Sequence, residues 1–229
     1  MYYPFFDPTM ILVLPALLLS LWAQFRVKST FDRFSRVRSS KGVTGAQVAR
    51  MLLDRFGLSS VPVDRVAGAL TDHYNPRDRT LHLSDSVYSS SSIAAIGVAA
   101  HEVGHAIQHS EGYAPLMFRN RIAPAVGLVS NMAIPLFFIG FLMRGQFLMN
   151  LGIVLFLGAI VFHLVTLPVE YNASSRAISI LNGTGALSPD ELKGARSVLN
   201  AAAWTYVAAA LMAVLQLVRL LVLRNSRER

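Results

Sequence analysis

Four stretches of the chain are predominantly apolar, and only the fourth carries a formal charge, Arg219 near its end. The first runs from about Thr9 to Phe25 and contains MILVLPALLLSLW. The second and third, 122–143 and 147–169, are separated only by Arg144, Gly145 and Gln146. So short a connection predicts an antiparallel pair of helices. The fourth, 201–223, is long enough to span a bilayer with some tilt. Its Arg219 lies close enough to the end to snorkel. The first stretch is the shortest, about 25 Å as a helix, slightly less than a bilayer core. No positive region precedes it and no small-residue cleavage site follows, so an uncleaved anchor is expected rather than a signal peptide.

Between the first and second stretches the pattern changes to that of a small α+β domain. Val48, Met51, Leu52 and Phe56 recur at helical spacing; Thr44 and Gln47 form a capping box in front of them, and Gly57 closes the end. Strand-like runs follow in SVPVDRV, ALTDHY and RTLHL. Asn75–Pro76 between the last two predicts a hairpin over Ala69–Leu83. The serines at 89–92 supply an N-cap for a helix from about Ile93 to His109, closed by Gly112. Further on, Ser188, Pro189 and Glu191 mark another helix start, with Leu187 and Leu192 as a staple, and that helix is expected to continue into the fourth apolar stretch.

Composition sharpens this picture. Hydrophobic residues make up 53% of the 229 and charged residues 15%, a balance that fits a membrane protein rather than a soluble domain. The formal charge of +8 does not point to nucleic acid, because Arg26, Lys28, Arg33, Arg36 and Arg38 follow directly on the first apolar stretch. That is where a cytoplasmic flank carries its positive charge. With residues 26–121 on that side, the second stretch leads out and the third leads back, so Glu170 to Asn200 returns to the same side. The tail RNSRER disagrees, since four spans leave its arginines outside: either it is a tolerated exception or the fourth stretch does not fully cross. The absence of cysteine excludes disulfides, thiolate metal sites and thiol catalysis.

Candidate chemistry concentrates in HEVGHAIQH, 101–109. Residues four apart in a helix stack on one face, so His101 and His105 can aim imidazole nitrogens at one point. Glu102, rotated about 100° around the helix, is poorly placed as a ligand and well placed to take a proton from a water there. The small residues Ala99, Ala100, Gly104 and Ala106 favour a packed face over a solvated one. A zinc site that keeps an open position for water needs a third protein ligand. His109 sits too far along the axis and reads as a complement to the helix dipole. Glu170, in TLPVEYNASSRA at the end of the third apolar stretch, has two readings: a third ligand, or an interfacial carboxylate reaching headgroup water.

Taken together, HEVGHAIQH, DHYNPRDRTLHLSDSVY, NRIAP and LPVEYNASSRA resemble the YugP-type neutral zinc metallopeptidases, over about residues 20–223. More distantly they resemble the HtpX-type gluzincins, which pair HExxH with a later E-x-x-A-D. The resemblance implies one zinc per chain on His101, His105 and Glu170, with Glu102 as general base. Ser174 stands where the gluzincin pattern has Asp, which predicts weaker support for a ligand histidine; Arg176 is a candidate oxyanion stabiliser. By the same resemblance a polypeptide substrate would pair with RTLHL as an edge strand.

The expected fold is mainly α: a multi-span membrane protein whose zincin-like α+β domain packs on about four transmembrane helices. Its expected parts are an anchor (1–25), the HExxH domain (26–121), a helical hairpin (122–169), an inner segment with the third ligand (170–200), and a fourth span with basic tail (201–229). The expected function is a zinc endopeptidase of the bacterial cell membrane, with its active site on the cytoplasmic side, acting on polypeptides and not on nucleic acid. The alternative is a non-catalytic membrane scaffold or chaperone-like module that zinc merely staples.

Overall fold

A computed structural model describes residues 8–227; the last residues of the basic tail lie outside the described part. The chain is mainly helical. After a 3-10 turn at Pro8–Leu12 come α1 (Leu14–Ser35), α2 (Gly45–Arg55), β1 (Val63–Val66), β2 (His73–Asn75), β3 (Thr80–Ser84) and α3 (Asp85–Tyr88). They are followed by α4 (Ile93–Ser110), α5 (Ala114–Met143), α6 (Gln146–Gly183) and α7 (Pro189–Arg227). The chain forms two compact units. One comprises the residues up to Ala23, Met117–Leu167 and those from Thr205 on; the other comprises Gln24–Leu116 with Pro168–Trp204.

In the second unit α4 is the central element. Its Ile96, Ala99, Ala100 and Val103 are buried with Val48 and Leu52 of α2, Leu81 and Leu83 of β3, Leu181 of α6 and Leu199 of α7. The helix starts are fixed by the residues the pattern marked. Thr44 and Gln47 satisfy each other's backbone N–H before α2, Ser92 accepts from the Ala95 N–H before α4, and Ser188 and Glu191 do the same before α7. Each such cap contributes about 1 kcal/mol.

The sheet has three strands in the order β1–β3–β2. β3 pairs parallel with β1 and antiparallel with β2. The expected hairpin forms, but its first strand covers only His73–Asn75. Asn75 drives the turn: its Oδ1 accepts the Arg77 N–H at 3.1 Å and its Nδ2 donates to Asp78 at 2.7 Å. RTLHL was expected to be an edge strand. It is the central one, and β1 and β2 are the edges. The reason is a parallel crossover, in which Pro62 to Val66 lie alongside β3, and periodicity does not announce that pairing.

Among the described residues three helices are long and apolar enough to cross a membrane: Ala114–Met143, Gln146–Gly183 and Pro189–Ser226. In the unit they share, Phe137, Met149, Phe156 and Leu220 are buried, while Leu142, Phe147 and Val154 stand exposed. That exposed apolar surface suits lipid. α1 is not among the three, although four spans were expected. Its apolar part ends at Phe25, and the same helix continues through Arg26, Lys28, Asp32 and Arg33.

Close approach of α4 and α6 rests on a missing side chain. A Cβ at Gly104 would lie 2.7 Å from the carbonyl oxygen of Ala173, which is backbone and cannot move aside. Gly104→Ala is therefore expected to lower the unfolding free energy by about 1–3 kcal/mol. Gly127→Ala, with no atom within 4 Å of the new Cβ, should be neutral or mildly stabilising. Thermal unfolding of both variants in detergent checks the contrast.

Candidate metal centre

Gly104 brings α6 against the HEVGH turns, and the contact places Glu170 opposite both histidines. His101 Nε2 lies 3.3 Å and His105 Nε2 3.5 Å from Glu170 Oε2. The imidazoles are edge-to-face, 4.7 Å between ring centres. One ligand atom from each of the three residues falls within 4.8 Å of the others, so the group could hold a metal ion. Glu170 is only 4% exposed. A carboxylate so thoroughly removed from water needs a cationic partner.

The far nitrogens decide which atoms face the centre. Gln108 is fully buried, and its Nε2 donates to the Val169 carbonyl and to Asn172 Oδ1, both at 2.9 Å. With its amide hydrogens committed to two acceptors, its Oε1 must be the atom 3.0 Å from His105 Nδ1. An amide oxygen only accepts, so His105 carries its proton on Nδ1 and presents a lone pair at Nε2. Ser174 Oγ lies 3.1 Å from His101 Nδ1 and can accept from it in the same way. Two imidazole lone pairs and a carboxylate oxygen then converge. For bonds of about 2.0–2.1 Å, a tetrahedral ion puts neighbouring ligand atoms about 3.3–3.4 Å apart. The donor set and spacing fit zinc.

Ser174, expected to give weak support, does occupy the position behind His101. Arg176 is placed otherwise than as a free oxyanion stabiliser. Its Nε donates to Asn172 at 2.8 Å and its Nη1 pairs with Glu111 at 2.7 Å. Its guanidinium thereby fixes Asn172, Asn172 fixes Gln108, and Gln108 fixes His105. This chain of contacts escaped the sequence analysis. The only available signal was Gln108 standing three residues after His105, on the same helical face. His109, read as a dipole complement, lies 2.8 Å from the Tyr74 hydroxyl; burial, assisted by Arg79, lowers its pKa.

Glu102 is buried beside this cluster. Its Oε2 accepts the backbone N–H of Tyr74 on β2 at 3.0 Å. Burial pushes its pKa up to about 7; His101 opposes the shift, and Glu170 and Asp72 add to it. A carboxyl held there can accept a proton near neutral pH and release it again.

Comparison with known proteins now adds to the geometry. Residues 9–225 match the family described as "Putative neutral zinc metallopeptidase". The chain belongs to that family. It is also 50% identical, over 219 residues covering 95% of this chain and 97% of the relative, to the "Putative membrane protease YugP" of Bacillus subtilis (strain 168). No solved structure matches it.

Loss of the Gln108 contact frees His105 to rotate and to change tautomer. Gln108→Leu is expected to weaken zinc binding about ten- to a hundredfold, measured by competition with a chromophoric chelator. Arg176→Ala, two contacts further out through Asn172, should weaken it less.

Proposed function

We propose that this chain is a membrane-bound zinc endopeptidase that binds one zinc ion through His101, His105 and Glu170 and uses Glu102 as its general base. The observation that carries this is the pairing of a three-residue ligand set with a buried carboxylate that binds none of its members. A purely structural staple gains nothing from Glu102, whose burial costs free energy. A membrane scaffold or chaperone-like module is the weaker reading for that reason.

Zinc held by His101, His105 and Glu170 would supply Lewis acidity to an attacking water and to the scissile carbonyl. Tyr74 N–H holds one oxygen of Glu102, which leaves the other oriented to take the water's proton. Glu102 then delivers that proton to the leaving amine, so one group serves as base and as acid. Gln108 and Ser174 hold the two imidazoles in place while charge develops. A substrate backbone lies along β2, an edge strand beside α4, and not along the central β3. Polypeptides are the substrate class. The basic run from Arg26 to Arg38 supports a site on the cytoplasmic side, and the apolar residues 9–25 support a further anchor in addition to the three long apolar helices.

Glu102→Gln keeps size and hydrogen bonding but removes the base. It is expected to lower hydrolysis of casein by about a hundred- to ten-thousandfold, with zinc still bound at one per chain. Equal activity of variant and wild type would remove Glu102 from the mechanism. Glu170→Ala should empty the site, read as zinc per chain by elemental analysis; full occupancy in that variant would take Glu170 out of the coordination sphere.

A further inference from the structure

Beyond Glu170, α6 and the first turns of α7 enclose a groove of about 350 Å³. It adjoins the metal centre through one residue. Ser174 lines the groove and also holds His101 Nδ1 at 3.1 Å. The groove follows α6 from Tyr171 to Asn182, about 16–17 Å at the helical rise. That length takes about five residues of extended peptide. Ser175, Ser179 and Asn182 supply hydroxyl and amide groups on one wall and Asn200 on the other, while buried Ile178 and Leu199 form an apolar floor. Such a lining suits a peptide backbone carrying small side chains.

The charge in this groove is one-sided. Arg196 lines it, and among the described residues no carboxylate pairs with Arg196. No acid lines the groove, and the carboxylates nearby in α7 and at the end of α4 have partners of their own. Asp190 holds Lys193, Glu191 caps α7 and takes the Ser40 N–H, and Glu111 holds Arg176. An exposed guanidinium with no carboxylate on it, in a groove that reaches the residue behind His101, can take a carboxylate through two parallel N–H donors.

We propose that this groove is a substrate subsite in which Arg196 selects a carboxylate, either an Asp or Glu side chain or the free C-terminus of the bound polypeptide. The assignment rests on the peptidase reading, and the test separates the two. Full-length zinc-loaded protein in detergent is given fluorescent peptides in matched pairs: Glu against Gln at each position with the C-terminus amidated, and free against amidated C-terminus with no internal acid. Binding is read on the Glu102→Gln protein and hydrolysis on the protein with Glu102 intact. One pair is expected to bind about five- to tenfold more tightly in its carboxylate form, and which pair does so names the source of the carboxylate. Arg196→Gln should abolish that discrimination with zinc content unchanged, and Arg196→Glu should reverse it, so that the uncharged member of the pair binds more tightly.

The subsite is overturned if paired peptides bind equally, or if the preference survives Arg196→Gln. It is also overturned if the substitution alters only binding to vesicles of anionic lipid. Discrimination without any hydrolysis would sink the peptidase reading and leave the groove standing; hydrolysis without discrimination would do the reverse.

Discussion

The arrangement of this molecule depends on one buried negative charge. Glu170 sits almost out of water, with the Nε2 atoms of two imidazoles at 3.3 and 3.5 Å from a single oxygen. An isolated carboxylate there would cost several kcal/mol, so its neighbours must present positive charge or hold a cation. Because Gln108 fixes the proton of His105 on Nδ1, that imidazole offers a lone pair, and the cluster becomes a set of electron donors around one point. Both ligand helices are committed to this point. α4 carries the histidines one turn apart, and α6 carries the carboxylate on the helix that is also a candidate membrane span.

Close packing makes that convergence possible. Gly104 lies inside HEVGH and lets the Ala173 backbone approach; Gly97 on the same helix meets Ala195 of α7, and Gly194 meets Phe34 and Ile93. The small positions of α4 are therefore the places where α6 and α7 pass. Gln108 bridges the gap that remains, with its oxygen on a ligand of its own helix and its nitrogen on Val169 and Asn172 of α6. Because the bridge is fully buried, an unmade bond there costs the desolvation of a whole amide. This rigidity suits a site whose ligands must not wander.

What the sequence disclosed was local. Thr44 with Gln47, Ser92, and Ser188 with Glu191 act over three residues, and each fixed a helix start within one position. HEVGH needed only helical spacing to place two imidazoles together. Other non-local pairing was illegible; the meeting of Glu170 with the two histidines was expected only through the family resemblance. Nothing in RTLHL indicates a parallel partner on its second edge, so an edge strand was expected where a central one exists. Gln108 and Asn172 are 64 residues apart, and a lone Gln after HExxH carries no mark of a partner on another helix. The first apolar stretch shows another limit: composition suggested a span, but α1 continues without a break into its basic half, and helix and apolar run do not share an end.

Glu102 shows what this arrangement costs and why the cost is tolerated. Its carboxyl, raised to about 7 chiefly by burial, favours the neutral form in the fold and the ionised form in the unfolded chain. Ionisation of this group therefore opposes folding by about 3 kcal/mol above pH 7, and the penalty fades as pH falls toward the ordinary carboxyl range. A side chain kept for packing alone would carry no such cost. A cation at the neighbouring cluster acts in the opposite sense, lowering the pKa of a nearby acid and favouring its ionised form. Glu102 and the cluster are thus coupled electrostatically: a cation held beside Glu170 would also favour the ionised form of Glu102. The backbone N–H of Tyr74 meanwhile fixes one oxygen of the Glu102 carboxyl.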